Sequence, residues 1–524
     1  MIKLKPKSIE NIAERAKERA LGHLSEEPKI GIIAACDNFS GAANYTFKMA
    51  QILEGEINKL GLNTEIITLP TLNDRYKTYT CESNLIEVYK DQIENLTELM
   101  LTEKSYDGLV IIGKGISTTA GMLLGAIAVN IPTLVLTEGA SSKTEGASLK
   151  DLTESVGRIA IGAKNIFDIQ NDEIYQTELM GDGSNFNTAN LFSILLESMG
   201  LSVMGTSGNF AGSAGKIMIL TETAKILADL VKNRMTVKKL LNKKIIQNAI
   251  ILNYALGGSI NTLKILMEIS KAIDADINLD KAFSLIKNVP VLVDTYKTDM
   301  YAFIKSGGTS ALLKQLLNKN LIDGTVKRYN GMPLAEMLKE TKVKEECVLP
   351  LRKESLIVFK GNIAESYALV KTINIPQNMT KFAGPSLVYE DDNSAASAVL
   401  SKGIKDGTVI VIKNCGSLSN GGIASVSETA CAISSMNKTD KLVILTDGAI
   451  CDSTNAIIVG NVTPESASGS IKYIQDGDAI EIDFLKARVS TDLSSKDFKQ
   501  REKKYVNAHK TQSNFIKAFI KNRE

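Results

Sequence analysis

The most constraining feature of this sequence is a regular alternation of short apolar runs and longer helical patterns that begins at Lys29. The runs have the length of buried strands, and the stretches between them have the apolar spacing of helices. This alternation predicts a parallel sheet covered by helices. The predicted strands are KIGIIAAC, TEIITL, GLVIIG and TLVLTEG, with helices around 45–60, 85–101 and 120–129 between them.

A ligand site is expected where these strands end. In open parallel sheets, ligands bind beyond the carboxyl ends of the strands. The loops at those ends are 37–44, 72–81, 114–119 and 139–144. Side chains of these loops are therefore candidates for binding a small molecule.

The chain from 151 to 344 is mainly helical in pattern, with glycine-rich interruptions. They are GDGSNFNTAN, GTSGNFAGSAG, LGGSIN and SGGTS. Glycine loops that open helices can bind anions through free backbone amides. The same composition also serves tight turns between packed helices, and the sequence leaves both interpretations open.

Strand-sized segments return after 351: SLIVFKG, SLVYE, GTVIVIK, KLVILTDG and AIEID. They predict a second, smaller, β-rich and barrel-like domain, so the fold class is α/β. Within it, Thr463, Pro464 and Glu465 are typical of a helix start. The predicted division is an N-terminal helix at 1–28, an α/β domain with a helical extension at 29–350, the β-rich domain at 351–495 and a basic helical tail at 496–524.

Composition narrows the class of protein. The chain of 524 residues is 44% hydrophobic and 23% charged, enough for more than one buried core. Its apolar runs are too short to span a membrane, and the N-terminal stretch lacks the apolar core of a signal peptide, which predicts a cytoplasmic protein. A net charge of +2 gives no field for nucleic acid, and the lysine-rich tail is interpreted as a solvated helical face.

Two residue counts limit the chemistry. The histidines are His23 and His509, near the termini, which argues against a Ser-His-Asp triad or a histidine-rich zinc site built from the middle of the chain. The six cysteines are scattered without a CxxC pair. In a cytoplasmic protein they are expected to be thiols.

Several spaced motifs carry a resemblance to a known family. TDG, GNVTPESA and DGDAIEID occur in this order between 446 and 483, and NAIILNYALGGSIN and IGKGISTTAGMLLGAIAVNIPTLVL occur upstream. Together with GNIAESYALVK, FAGPSLVYEDD and DGTVIVIK, they resemble the dihydroxy-acid dehydratase and phosphogluconate dehydratase family from about 29 to about 499. The resemblance implies a hydro-lyase that removes water from a 2,3-dihydroxy acid. In that family a two-iron two-sulfur cluster, a magnesium ion with a carbamylated lysine, and a serine base act together, and the members are typically dimeric.

The chain departs from the family at the positions that hold these groups. The three cluster cysteines fall on Ala43, Gly115 and Gly183, so the usual cluster is not supported by ligands. The carbamylated lysine falls on Ser117 and a magnesium glutamate on Ser425, while Asp74 is the one usual magnesium ligand that the resemblance retains. The serine base becomes Cys451 and a nearby arginine becomes Ala449. The resemblance therefore implies a divergent dehydratase.

These comparisons give a predicted set of site residues. The predicted catalytic residues are Cys451, Asp447 and Asp452. The predicted substrate-binding residues are Thr446, Gly448, Ser117, Asn185, Ser425 and Asn44. Asp74 is a predicted magnesium ligand. On the family pattern, Cys36, Cys81, Cys415 and Cys451 all fall on loops that face the active site, and soft thiolates bind iron-sulfur clusters or zinc. One hypothesis is a relocated metal site; the alternative is four small residues that fill loop interiors.

Three functions remain open from the sequence. The first is an enzyme, a lyase by resemblance, acting on a small hydroxy or amino acid. The second is a catalytically inactive subunit that pairs with an active homologue. The third is a small-molecule-binding protein that keeps the pocket without the chemistry. A homodimer, or a heterodimer with a homologue, is expected; a nucleic-acid or membrane partner is not.

Overall fold

A computed structural model describes residues 28–36, 45–71, 85–142, 180–343, 354–401, 403–420, 423–451 and 454–505, with a few single residues between 155 and 167. Almost all of the predicted N-terminal helix, and the predicted site residues Asn44, Asp74, Cys81 and Asp452, lie outside the described residues. None of the helices in the described part of the chain is both long and apolar enough to cross a bilayer.

The N-terminal sheet has four parallel strands in the order β2-β1-β3-β4. The strands are β1 (Lys29–Cys36), β2 (Asn63–Pro70), β3 (Gly108–Gly113) and β4 (Thr133–Thr137). Successive side chains of a strand point to opposite faces. Accordingly, Ile30 and Ile32 join one buried cluster and Ile33 and Ala35 join another. The predicted parallel sheet is confirmed.

Helices cover this sheet and extend beyond it. They are α1 (Tyr45–Asn58), α2 (Leu85–Lys104), α3 (Ile116–Val129), α4 (Thr188–Met199), α5 (Ala214–Lys232), α6 (Val237–Leu240), α7 (Lys243–Ala255), α8 (Ile260–Ala272), α9 (Leu279–Ile286), α10 (Met300–Lys305), α11 (Gly308–Asn318) and α12 (Leu334–Met337). The third helix begins four residues earlier than its predicted start at 120. The strand β3 ends at Gly113, and Gly115 turns the chain with a φ of 68° directly into the helix.

The glycine-rich segments lead into helices whose first turns are capped by side chains. Asn187, Ser213 and Ser259 each accept a hydrogen bond from a backbone N–H of the first turn, at the starts of α4, α5 and α8. Such caps satisfy amides that would otherwise be free. At these three segments the structure favours the interpretation as turns over anion loops.

The C-terminal part forms a nearly closed, barrel-like sheet of eight strands in the order β12-β11-β7-β8-β9-β10-β6-β5. The strands are β5 (Leu356–Phe359), β6 (Tyr367–Lys371), β7 (Lys381–Tyr389), β8 (Val409–Ile412), β9 (Val443–Thr446), β10 (Ile457–Thr463), β11 (Ala479–Asp483) and β12 (Arg488–Thr491). Strands β7 to β10 are mutually parallel. Lys360 exchanges backbone hydrogen bonds with Ala487 and Val489, which links the two edges of the sheet.

Alternation along the barrel strands separates two cores. Val409 and Val411 pack inside the barrel, whereas Ile410 and Ile412 join the large cluster that includes the N-terminal helices. Each such buried side chain contributes roughly 1.5–3 kcal/mol. The helices of this part are α13 (Asp392–Leu400), α14 (Ser417–Asn420), α15 (Ser427–Ser435) and α16 (Ser495–Lys504), with 3₁₀ helices at Thr372–Asn374 and Ser470–Tyr473.

The prediction of a helix that starts at Thr463 is wrong. Thr463 is the last residue of β10, and a turn follows it before the 3₁₀ helix. In that turn Ser466 donates its backbone N–H and its hydroxyl to the carboxylate of Asp447. These tertiary hydrogen bonds hold the segment in a turn. They outweigh the local helix-start signals of Thr463, Pro464 and Glu465.

Candidate functional site

A thiol and two charged side chains lie at the carboxyl ends of β1, β3 and β4. Cys36 ends β1, Lys114 follows β3 directly and Glu138 follows β4. The Glu138 side chain is wholly buried, and its Oε1 lies 3.7 Å from Nζ of Lys114. A buried carboxylate costs several kcal/mol unless charges and hydrogen bonds compensate it. The Lys114–Glu138 pair is therefore the charged centre at this end of the sheet.

The segment 180–187 closes over this pair through its backbone. The N–H of Gly181 donates to Oε2 of Glu138 at 3.0 Å. The N–H of Gly115 donates to Oδ1 of Asp182 at 3.1 Å, and the N–H of Gly183 donates to Oγ of Ser141 at 3.1 Å. Because these bonds join loops far apart in sequence, they hold the ends of β3 and β4 and the segment 180–187 as one unit.

Lys216 stands behind the pair on α5. Its side chain is fully buried, and its Nζ donates to the backbone C=O of Thr206 at 3.0 Å. Burial lowers the pKa of Lys216 to about 8, while the carboxylates of Asp182, Glu197 and Glu138 act in the opposite direction. Gly139 provides the space for this amine, since a Cβ there would lie 2.8 Å from Nζ.

The N-terminus of α3 points into the same region. Gly115, its N-cap, makes no side-chain capping bond, and Ser117 in the first turn is buried. Thr71, after β2, contacts the oxygen of Thr118 at 2.9 Å. A helix N-terminus favours negative charge. Lys114 and the start of α3 together form a site suited to a carboxylate.

The predicted residues around β9 form a tightly bonded structure. The Asp447 carboxylate accepts hydrogen bonds from the backbone N–H groups of Cys415 at 3.0 Å and Ser466 at 2.8 Å, and from the Ser466 hydroxyl. Burial raises the pKa of Asp447, although these donors favour its ionised form. Asp447 therefore connects the segments after β8, β9 and β10.

Thr446 takes part in this structure through its hydroxyl, and Gly448 and Ser425 take part through the backbone. The Thr446 hydroxyl accepts the N–H of Gly448 at 2.9 Å. A Cβ on Gly448 would lie 2.7 Å from both the Cβ of Cys415 and the C=O of Ala424, so only glycine allows this approach. Ser425 pairs with Ala449 in an isolated bridge.

Two family models cover most of the chain. The model described as dihydroxy-acid/6-phosphogluconate dehydratase N-terminal matches residues 27–337. The model described as dihydroxy-acid/6-phosphogluconate dehydratase C-terminal matches residues 345–524. The chain belongs to the dihydroxy-acid/6-phosphogluconate dehydratase family. The predicted family is thus confirmed, and with it a place among hydro-lyases.

The chain is similar to dihydroxy-acid dehydratases of several organisms. A dihydroxy-acid dehydratase of Methanoregula boonei is 31% identical over 76% of this chain and 74% of its own length. Dihydroxy-acid dehydratases of a Nitratiruptor species and of Metallosphaera sedula are 28% and 27% identical, and each match covers 95% of this chain and more than nine-tenths of the relative. The last two are proteins that this dehydratase-family chain resembles over nearly its whole length.

Two of the three positions that the resemblance equates with cluster cysteines are described. Gly115 and Gly183 lie at the charged centre and use their backbone N–H groups to bind Asp182 and Ser141. Neither residue has a side chain that can ligate a metal. These two positions of the family member therefore do not fit thiolate ligands.

Of the four described thiols, Cys431 lies on α15, and the three that the sequence predicts at the site lie in two places. Cys36 is half-buried beside the N-terminal charged centre, whereas Cys415 and Cys451 are buried after β8 and β9. Burial raises the pKa of Cys36, and burial followed by the charge of Asp447 raises the pKa of Cys415 far above its usual value. No group of three or more His, Cys, Asp or Glu side chains placed to hold a metal occurs among the described residues. Because Cys81 lies outside them, the relocated metal site remains a prediction.

The structure also adds residues that sequence reasoning missed. Lys114 and Glu138 each follow an apolar strand directly, which is a local signal that could have found them. Asp182 and Lys216 carry no such signal, because they reach the site through loop and helix packing. Asn185, a predicted substrate-binding residue, contributes to this part of the structure through its backbone. That backbone pairs with Asp299, and its C=O accepts a hydrogen bond from the side chain of Asn190 at 2.8 Å.

Proposed function

We propose that this chain is a hydro-lyase that removes water from a small hydroxy acid at the carboxyl ends of β1, β3 and β4. The observation that carries the proposal is the buried Lys114–Glu138 pair, with Nζ and Oε1 3.7 Å apart. A cation and a carboxylate side by side supply the acid and the base that a dehydration needs. The relatives' name, dihydroxy-acid dehydratase, supports a 2,3-dihydroxy acid or sugar acid as the substrate class.

The substrate carboxylate would bind at the start of α3. The first turn of α3 presents backbone amides next to the Asp182 carboxylate that binds Gly115, Ser117 adds a buried hydroxyl, and Lys114 adds positive charge. This arrangement would place the carbon next to the carboxylate close to Glu138. Binding the carboxylate in this way also lowers the cost of placing a second negative charge on the substrate.

In the proposed reaction two bonds of the substrate break and no oxidant is needed. The Glu138 carboxylate takes the proton from C2, and the electron pair of that bond forms the C2–C3 double bond. The Lys114 ammonium donates a proton to the hydroxyl on C3, which leaves as water. The resulting enol becomes a 2-oxo acid when C3 takes up a proton and the C2 hydroxyl loses its own. Lys216 would stabilise the charge of Glu138 from behind.

The family's cluster and magnesium ion are not assigned a step here. Gly115 and Gly183 do not fit the thiolate ligand set of the cluster, and we infer that the usual cofactor set is replaced in this chain. A relocated iron-sulfur or zinc site at Cys36, Cys81, Cys415 and Cys451, and magnesium binding by Asp74, are kept as separate hypotheses. Each would supply a Lewis acid for the departing hydroxyl.

One observation favours a second candidate function. The carboxylate of Asp447 accepts hydrogen bonds from Cys415 and Ser466, and Cys451 is buried, which supports a packing role for these two predicted catalytic groups. This favours a catalytically inactive subunit, or a small-molecule-binding protein, that pairs with an active homologue. In that case the Lys114 region would bind a hydroxy or amino acid without converting it.

We also propose a dimer in the cytoplasm. Ile217 and Met218 on α5 expose 48% and 73% of their surface, and Tyr301, which exposes 45%, stacks on Phe210 with 6.1 Å between ring centroids. Apolar side chains grouped on a surface are typical of an interface. A second copy of the chain, or a homologue, would cover them. Light scattering should give a dimer mass for the wild type and a monomer mass for Met218→Asp.

The main test is an assay for 2-oxo acid formation from a panel of 2,3-dihydroxy acids and sugar acids. We expect wild-type turnover to fall at least 100-fold in Glu138→Gln and in Lys114→Met. Lys381→Met and Glu481→Gln, at an exposed pair 3.4 Å apart on the barrel, are the matched controls and should keep activity. Binding of these acids without turnover would support the inactive subunit. If the protein neither binds nor converts any of these acids, both candidate functions are overturned.

A further inference from the structure

A groove on the helical side of the N-terminal domain lies away from the proposed active site. It has a volume of about 350 Å³ and runs between the segments 235–244 and 325–331. Lys238, beside it, donates its N–H to Asn130, and Val237 donates to Ile131, both just before β4 begins. Glu138 follows the other end of β4. A five-residue strand separates the two places by roughly 17 Å, so the groove is a separate feature.

The groove is lined by cations. Lys239, Lys244 and Lys327 are exposed at its edges, and Arg328 forms part of its wall. None of the described residues that line it is Asp or Glu. Lys244 has a partner in Asp323 at 2.7 Å outside the lining. In a chain with a net charge of only +2, this excess of positive charge is local.

Arg328 is the decisive residue, because it is a buried cation that forms no salt bridge with a described residue, and the Glu197 carboxylate acts on it only from beyond ion-pair distance. It is 3% exposed, and its two terminal nitrogens donate to the backbone C=O groups of Ser198 and Glu197. No described residue accepts a hydrogen bond from its Nε, and no described carboxylate lies within ion-pair distance of it. A buried charge in this state costs several kcal/mol until an anion compensates it.

The nearest carboxylate is already occupied by other donors. Glu197 accepts the backbone N–H groups of Gly205 at 2.9 Å and Ser207 at 2.8 Å, and the Ser207 hydroxyl at 2.6 Å. It therefore cannot turn to Arg328 without losing three hydrogen bonds. Glu197 therefore compensates the charge of Arg328 only in part, and Arg328 lines the groove.

We propose that this groove is a binding site for the phosphate group of a small molecule. A phosphate carries up to two negative charges and several acceptor oxygens, which matches one guanidinium and three ammonium groups. The volume is that of a small-molecule site. This site is independent of the hydro-lyase chemistry, so its ligand need not be the substrate.

The test uses the full-length protein with inorganic phosphate and then pyrophosphate as probes. We expect phosphate to raise the melting temperature by about 2 °C relative to chloride at the same ionic strength, because a ligand that binds the folded state stabilises it. Titration calorimetry of Lys239→Gln/Lys327→Gln should show at least a 10-fold loss of affinity. Lys239→Arg/Lys327→Arg, which keeps the charges, should retain binding.

A second double variant controls for general charge effects. Lys271→Gln/Lys319→Gln removes the same charge from exposed positions outside the groove and should bind phosphate like the wild type. Equal melting temperatures of all variants in chloride would show that they are folded. The proposal is overturned if phosphate and chloride act alike on the wild type, if the groove variant keeps its affinity, or if the control variant loses as much.

Discussion

The backbone N–H of Cys415 donates to Oδ1 of Asp447 at 3.0 Å, while Ser466 donates to the other oxygen of the same carboxylate. The two donors are separated by 51 positions of sequence, so one side chain connects the exits of β8 and β10. This makes Asp447 a structural element of the barrel end.

We expect Asp447→Asn to lower the free energy of unfolding by about 1–3 kcal/mol, because an amide nitrogen would face one of the two N–H donors. Urea unfolding measures the change. Asp440→Asn, at an exposed position just before β9, should change it by less than about 0.5 kcal/mol. Unchanged stability with lost activity in Asp447→Asn would instead support the catalytic role predicted from the sequence.

Gly139→Ala should disturb the charged centre through Lys216. The new Cβ would lie 2.8 Å from Nζ of Lys216 and 2.5 Å from the C=O of Asn209, at a φ of +89°. Gly61→Ala has a similar φ of +77° but no atom within 4 Å, so it carries only the backbone cost of about 1 kcal/mol. We expect Gly139→Ala to lower the midpoint of urea unfolding clearly further than Gly61→Ala does. Equal effects would mean that Lys216 moves aside freely.

The pair Asp392 and Glu428 should make stability depend on pH. Asp392 accepts the N–H groups of Glu428 at 2.8 Å and Thr429 at 3.0 Å, at the start of α15. Burial raises the pKa of Asp392 to about 6, and burial with the charge of Asp392 raises the pKa of Glu428 to about 7. The folded state thus keeps protons that the unfolded state loses near pH 4. The stabilisation present below pH 4 is lost as pH rises through 6 and 7.

Glu428→Gln removes the charge that causes this loss. We expect the variant to gain about 1 kcal/mol over the wild type at pH 8 and almost nothing at pH 4, measured by urea unfolding at both values. Glu336→Gln, at an exposed position, serves as the control and should show no pH-dependent gain. A gain of equal size at both pH values would exclude titration of Glu428 as the cause.

The described thiols should differ in reactivity. Thiolates react, and burial both blocks access and keeps Cys415 protonated. In protein whose Cys81 and Cys347 are replaced by serine, we expect Cys36 to react with a disulfide reagent at least 10-fold faster than Cys415 or Cys451. The rates can be followed by mass spectrometry of the labelled peptides.

Metal and sulfide analysis of protein purified without oxygen tests the relocated metal site. That hypothesis predicts stoichiometric iron with sulfide, or zinc, and loss of the metal in Cys451→Ser with little change in melting temperature. A colourless, metal-free wild type would argue against it. The thiols would then be residues that fill the interiors of the strand-exit loops.

Local sequence determined the strands and much of the topology class. KIGIIAAC and GLVIIG are β1 and β3 with the predicted bounds, because a buried strand needs only a short apolar run between turn residues. The family motifs were also readable, since they are short and keep their order. β6 and β12 were not predicted as strands, because they gain their pairing from neighbours in the barrel.

Tertiary structure decided which side chains meet and what each one does. Lys216 and Asp182 reach Glu138 only through packing, and Asp447 is directed toward Cys415 and Ser466 by loops that close far apart in sequence. A charged residue directly after the end of a strand is visible in the local sequence. Its hydrogen-bond partners and its removal from solvent are not. Those two properties set the energy of a buried charge, so the roles of Glu138, Lys216 and Asp447 became apparent only in the folded chain.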